Sequence, residues 1–140
     1  MGALIVVFAL VTGAFAAQIQ WMDSYADACR KAAEEHKNVL LLITTETCGW
    51  CRRLERTTLR DDAVVEQINA DFVAVHVTRG KDEYPKSLEA KMVPTSYFLH
   101  PDGTVFYRMP GYWTSEDYLS ILKDAENKAG KAPRNKEKQQ

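Results

Sequence analysis

Cys48-Gly49-Trp50-Cys51 sets two thiols three positions apart, after the apolar run Leu40–Ile43 and at the head of a charged, helix-forming stretch reaching Leu59. A pair so spaced can hold a metal, staple the chain or exchange electrons. Structural zinc takes four ligands, usually a second cysteine pair or two closely spaced histidines. The only other cysteine is Cys29, and His36, His76 and His100 lack that spacing. A disulfide closed over so few residues constrains little of the unfolded chain and adds little stability. Redox exchange is what the local context favours. At a strand-to-helix junction the sulfur of Cys48 faces unpaired backbone N–H groups and the positive end of the helix dipole. Both lower the thiol pKa and supply thiolate, the nucleophile of disulfide exchange. Cys51, one helical turn on, can attack a mixed disulfide formed at Cys48. Cys48 is therefore expected to attack and Cys51 to resolve.

The elements that must position this pair follow from periodicity. Ser24–His36 carries Tyr25, Ala28, Cys29, Ala32 and Ala33 at helical spacing, with Asp23 or Ser24 as cap. Val39–Ile43 is a continuous apolar run of the kind buried strands show, and Phe72–Thr78 is β-branched and strand-like. Helices are expected over Cys48–Leu59 and from Asp61 or Asp62 towards Ala70. Arg79–Lys91, polar and interrupted by Gly80 and Pro85, reads as loop with one helical turn. Thr95–Leu99 and Val105–Met109 flank the turn signature His100-Pro101-Asp102-Gly103, and Thr114–Lys128 is a capped final helix. This alternation gives an α/β fold, a sheet of four or five strands covered by helices on both faces, with a hairpin at one side.

The chain has 140 residues, 46% apolar and 26% charged, with a formal net charge of −1, as expected for one soluble domain with a full core. That balance gives no reason to expect nucleic acid as a partner. Charge is uneven: Lys128, Lys131, Arg134, Lys136 and Lys138 against Glu137 make the tail +4, leaving −5 on the rest of the −1 chain. Residues 128–140 are expected to be a disordered, solvated basic tail. Residues 1–16 read as a secretory signal: no charged side chain, an apolar core from Ala3 to Val11, and the small-x-small end Ala14-Phe15-Ala16. The n-region has no Lys or Arg, and the segment is shorter than the roughly 20 residues of a membrane span. If uncleaved it would be a membrane anchor. Export would place the cysteines where disulfides persist. Residues 17–127 form the expected domain.

Three features resemble the thioredoxin-like superfamily across about Gln20 to Ala125: the Cys48–Cys51 motif, Val93-Pro94-Thr95 before a strand, and Pro101-Asp102-Gly103 followed by Gly111-Tyr112 ahead of the last helix. The motif with its following helix, and Phe72–Val77, look most like exported thioredoxin-like proteins of the bacterial periplasm. The resemblance implies a mixed sheet of that fold, with Pro94 cis and facing the cysteines. Val93 and Thr95 would flank an extended client peptide bound by strand addition. Without the resemblance, Pro94 is an ordinary strand-entry proline. Thioredoxins carry a buried acid six residues before the first cysteine, where this chain has Leu42. Glu46, the nearest acid, is either a proton relay or a solvated loop residue. Gly49-Trp50 replaces the Gly-Pro of thioredoxins and tunes the site, Trp50 offering an apolar client surface or packing locally. By resemblance Gly111 lies at the active-site rim, with Tyr112 beside it.

These readings make the chain a thiol–disulfide oxidoreductase acting on protein or peptide thiols and disulfides. Its only redox group is the Cys48–Cys51 disulfide, with no other cofactor and no metal. The Cys-Gly-x-Cys form favours the reductase direction, fed by a membrane or exported electron donor. Oxidase or isomerase activity is the alternative within that chemistry, and a client- or copper-binding module of the same fold the alternative outside it. No segment suggests dimerisation, so a monomer is expected. Cys29, among alanines, reads as a buried inert thiol, and His76 as a hydrogen-bonded strand residue. Arg52 and Arg53 read mainly as surface charge near the thiolate. Trp21, Tyr107 and Tyr112 are expected to pack the sheet and its edges. No phosphate loop, Ser–His–Asp set or haem attachment motif is present.

Overall fold

The computed structural model describes residues 17–130. The expected signal segment and residues 131–140 of the expected tail lie outside them. Each surface of a central sheet is apolar because the strands are, and each must be covered. In chain order the elements are β1 (Trp21–Met22), α1 (Tyr25–Glu35), β2 (Asn38–Thr44), α2 (Gly49–Arg56), α3 (Asp62–Asp71), β3 (Phe72–Thr78), β4 (Thr95–Leu99), β5 (Val105–Pro110) and α4 (Ser115–Ala129). Short 3₁₀ turns fall at Thr58–Arg60 and Lys86–Leu88.

The sheet runs β1-β3-β2-β4-β5. β1 and β2 flank β3 in parallel, while β4 pairs antiparallel with both β2 and β5. Alternation along β2 sends Leu40 and Leu42 into one core, with Leu54 of α2, Val64, Val65 and Ile68 of α3, and Tyr118 and Leu122 of α4. Val39, Leu41 and Ile43 enter the other, with Ala28 and Ala32 of α1 and Leu88 and Ala90 of the long loop. The two-layer covering buries β2 from Val39 to Thr44, which is why it reads as an unbroken apolar run rather than an alternating one.

The structure departs from the sequence reading at several elements, mostly by a residue at an end. β1 was not foreseen, because two residues carry no periodicity. It joins the sheet through Trp21 and Met22, beside Ala74 and Val75 of β3. The helix from the cysteine motif stops at Arg56, not Leu59. Thr57 leaves helical geometry and bonds back to the Arg53 carbonyl, while the Thr58 hydroxyl donates to Trp113 O at 2.6 Å. α4 runs on through Lys128 to Ala129, so the start of the expected tail is ordered: Ala129 is buried and the Lys128 ammonium sits 4.9 Å from the Tyr107 ring centre. β5 extends one residue further, to Pro110.

Candidate active site

β2 ends at Thr44, and a short loop delivers Cys48 as the N-cap of α2, in extended backbone geometry. The Cys51 N–H donates to Cys48 Sγ at 3.1 Å, so one orphan donor of the helix start is satisfied by the sulfur itself. The same interaction would stabilise a thiolate there. The two cysteines are joined as a disulfide with Cα atoms 5.2 Å apart. Cys48 is half-buried, whereas Cys51 is 2% exposed. An outside nucleophile or disulfide therefore meets Cys48 first.

Facing Cys48 is the turn into β4. Its sulfur lies 3.7 Å from the Val93 carbonyl oxygen, and the Val93–Pro94 peptide bond is cis. The turn is held from three sides. Thr95 Oγ1 donates to Met92 O at 2.6 Å, and the Gly111 N–H donates to Pro94 O at 2.7 Å. Behind it, buried Ser96 and Tyr118 share a hydroxyl hydrogen bond of 2.8 Å. Gly111 has φ +95°, a conformation that favours glycine and lets the chain after β5 turn back to Pro94.

Trp50, Met92, Val93, Pro94, Gly111 and Tyr112 line a groove of about 450 Å³ beside the disulfide. Trp50 and Met92 are 57% and 58% exposed, unusual for large apolar side chains. Trp50 packs against Tyr112 with ring centres 5.6 Å apart, and the Arg53 guanidinium lies over both rings. The sequence reading placed Tyr112 both with the sheet packing and beside the active-site rim; it lines this groove next to Trp50. The phenol is pulled below the ordinary tyrosine range by hydrogen bonding to Thr57, aided by Thr58 and the Arg53 charge. A larger recess of about 850 Å³, lined by residues including Tyr25, Arg79, Asp82 and Tyr84, shares no residue with the cysteine groove.

The remaining candidates separate. Gly49 needs no glycine for space, since a Cβ there would meet nothing within 4 Å. Glu46 is exposed and its carboxylate is ion-paired with Lys81, the arrangement of a solvated loop residue. Leu42 is wholly buried and sits beside His76 in the β2–β3 register. His76 hydrogen-bonds Thr44 Oγ1 through Nε2 at 2.7 Å and approaches Glu55 of α2 at 3.5 Å. Burial holds its pKa below the usual histidine value, while Glu55 and Asp82 act in the opposite sense. Sequence reasoning missed the Thr44–His76–Glu55 connection, which brings three elements together. Cys29, expected to be buried, is half-exposed, with burial raising its thiol pKa despite a hydrogen bond to Tyr25.

Among known proteins, a family model described as a thioredoxin-like domain matches residues 25–126. The Caenorhabditis elegans uncharacterized protein B0495.5 is 30% identical over 93 residues, covering 60% of this chain and 13% of that protein. This chain thus spans a small fraction of that relative's length. A solved thioredoxin from Thermus thermophilus superposes with a TM-score of 0.70 at 21% identity, over 87% of this chain and 98% of its own. A DsbH oxidoreductase does so at 0.64 and 21%, over 91% and 95%. Likeness at such identity speaks to the fold, and the close cysteine pair set into that fold supports thiol–disulfide exchange. The sheet order, the helix capped by Cys48 and the match over residues 25–126 together place this chain in the thioredoxin-like family.

Proposed function

We propose that the protein is an exported thiol–disulfide reductase whose nucleophile is Cys48 and whose resolving thiol is Cys51. The observation that carries this reading is the asymmetry of the pair: Cys48 caps α2 beside an open apolar groove, and Cys51 is buried one turn behind it. In the reduced protein, the Cys48 thiolate attacks one sulfur of a client disulfide. That S–S bond breaks, and the departing client sulfur leaves as a thiolate that takes up a proton. The Cys51 thiol loses its proton and attacks the Cys48 sulfur, expelling the second client thiol and closing the Cys48–Cys51 disulfide. Two electrons have passed to the client, and a dithiol donor in the membrane or the exported space must return them.

Val93 and Thr95 would offer backbone to an extended client, with Pro94, Trp50 and Tyr112 as its apolar bed. Gly111 shapes the rim and Gly49 leaves the approach to Cys48 open. The uncharged leader supports export, and among the described residues no helix is long and apolar enough to cross a membrane. Replacing Cys48 by Ser tests the assignment with an insulin-reduction assay coupled to dithiothreitol. Turnover should vanish, and turnover that survives the substitution would refute the role of Cys48. Client binding that persists after turnover is lost is expected of the groove. A wild-type protein that binds clients but never turns over would instead be a binding module.

A further inference from the structure

The helix that carries the redox pair has an unbalanced exposed face. Arg52, Arg53 and Arg56 all lie in solvent on α2, one turn or less apart, and no acid stands in its first turn. Arg53 and Arg56 fall in the last turn of this helix, where cations suit the dipole, and Arg52 lies nearer the cysteine end. The acids of the motif loop and of α2 itself, Glu46 and Glu55, are engaged elsewhere. Glu46 is paired with Lys81, and Glu55 is turned inward to His76. None of the three arginines takes part in an ion pair among the described residues. The rest of the chain outside the tail is acidic on balance, which makes the basic strip at the disulfide a local exception.

The strip is joined to the apolar groove. The Arg53 guanidinium lies 5.3 Å from the Trp50 ring centre and 5.1 Å from that of Tyr112, two walls of the groove beside Cys48. Stacking on both rings, with a hydrogen bond to the Tyr112 hydroxyl, holds a long side chain in place before any partner arrives, and the remaining guanidinium donors can meet a carboxylate. A guanidinium so placed at the rim of a low-dielectric groove raises the local concentration of anions and orients them.

We propose that the surface formed by Trp50, Tyr112, Arg53 and Arg56 docks partners whose reactive cysteine lies in an extended segment rich in Asp or Glu. This names the substrate class of the reductase reading and rests on it. The apolar part of the segment lies over Trp50 and Pro94, and its carboxylates meet the α2 arginines. Exchange follows as above, the protein dithiol giving two electrons to the partner's disulfide and ending as the Cys48–Cys51 disulfide.

The test uses the reduced protein and two synthetic peptides of one core sequence, each joined through its cysteine to a chromogenic aryl thiol. Glu flanks the cysteine in one and Lys in the other, and a small neutral disulfide serves as a third substrate. The ratio of the two peptide rate constants is read, because any change in Cys48 thiolate fraction cancels in it. At low ionic strength the Glu peptide should react about tenfold faster, within the range of electrostatic steering. In 1 M salt, where the screening length falls to about 3 Å, the ratio should approach one. The Arg53→Glu/Arg56→Glu variant should invert the low-salt preference. A wild-type ratio near one at low salt, or a preference indifferent to salt, would overturn the docking proposal while leaving the reductase reading intact. Failure to react with any of the three disulfides would overturn both.

Discussion

Tyr118 and Ser96 hold the base of β4 two residues past Pro94, and their coupling can be measured. Both are buried, at 1% and 2% exposure, and their hydroxyls lie 2.8 Å apart. Tyr118→Phe keeps the ring in the core shared by α4 and β2 but strands the Ser96 hydroxyl, a cost of about 1–3 kcal/mol. Ser96→Ala strands the phenol at a similar cost. Removing both leaves nothing unpaired, so the double variant should be at least about 1 kcal/mol more stable than the sum of the singles predicts. Urea unfolding of the four proteins in the oxidised state supplies the cycle. Costs that add to within about 0.5 kcal/mol would show that the hydroxyls do not act as a pair. The alkaline limb gives a second check. Burial raises the Tyr118 pKa from 10.0 to about 12, partly offset by the Ser96 bond. The unfolded chain therefore loses this proton first. The stability tied to it is complete below pH 10 and is lost as pH rises through about 12. Compared with Tyr118→Phe, the wild type should fall more steeply across that window, and parallel curves would refute the assignment.

Cys51→Ser should accumulate a client mixed disulfide at Cys48, visible as a mass adduct that dithiothreitol removes, whereas Cys48→Ser should form no adduct at either site of the pair. The depressed His76 pKa implies that the unfolded chain takes up this proton first as pH falls below the ordinary histidine value of 6.5. Stability should decline as pH drops from that value toward the folded pKa. His76→Gln, which can keep a hydrogen bond to Thr44, should flatten that decline in pH-dependent urea melts. Leu42→Ala, at a position with no solvent exposure, should cost about 2–5 kcal/mol in the same assay through lost burial and the cavity left behind.

Much of this was legible before any coordinates, for identifiable reasons. β2 and β3 carry runs of buried β-branched and leucine side chains, and α1 and α4 carry caps and helical spacing, so local signals and tertiary structure agree. Cys48 and Cys51 declared themselves because spacing and strand-to-helix context coincide within a dozen residues. Pro94 was visible only through resemblance, since nothing local to Val93-Pro94-Thr95 says that it stands against the cysteines. β1 was too short to leave a pattern, and the end of α2 is decided by Thr58 bonding to Trp113, 55 positions away. The stacking of Arg53 on Trp50 and Tyr112 likewise joins parts of the chain that meet only in the fold. Sequence periodicity reports burial along one element; it does not report which surface residues of two elements become neighbours.

The claim that Cys48 and Cys51 form a reducing redox pair is tested most directly by their equilibrium reduction potential. It should be measured against glutathione and dithiothreitol buffers in a Cys29→Ala background, so that only one couple titrates. The expected result is a single two-electron transition near or below about −250 mV, close to that of thioredoxin. A value between about −120 and −180 mV, the range of strong oxidants and isomerases, would contradict it.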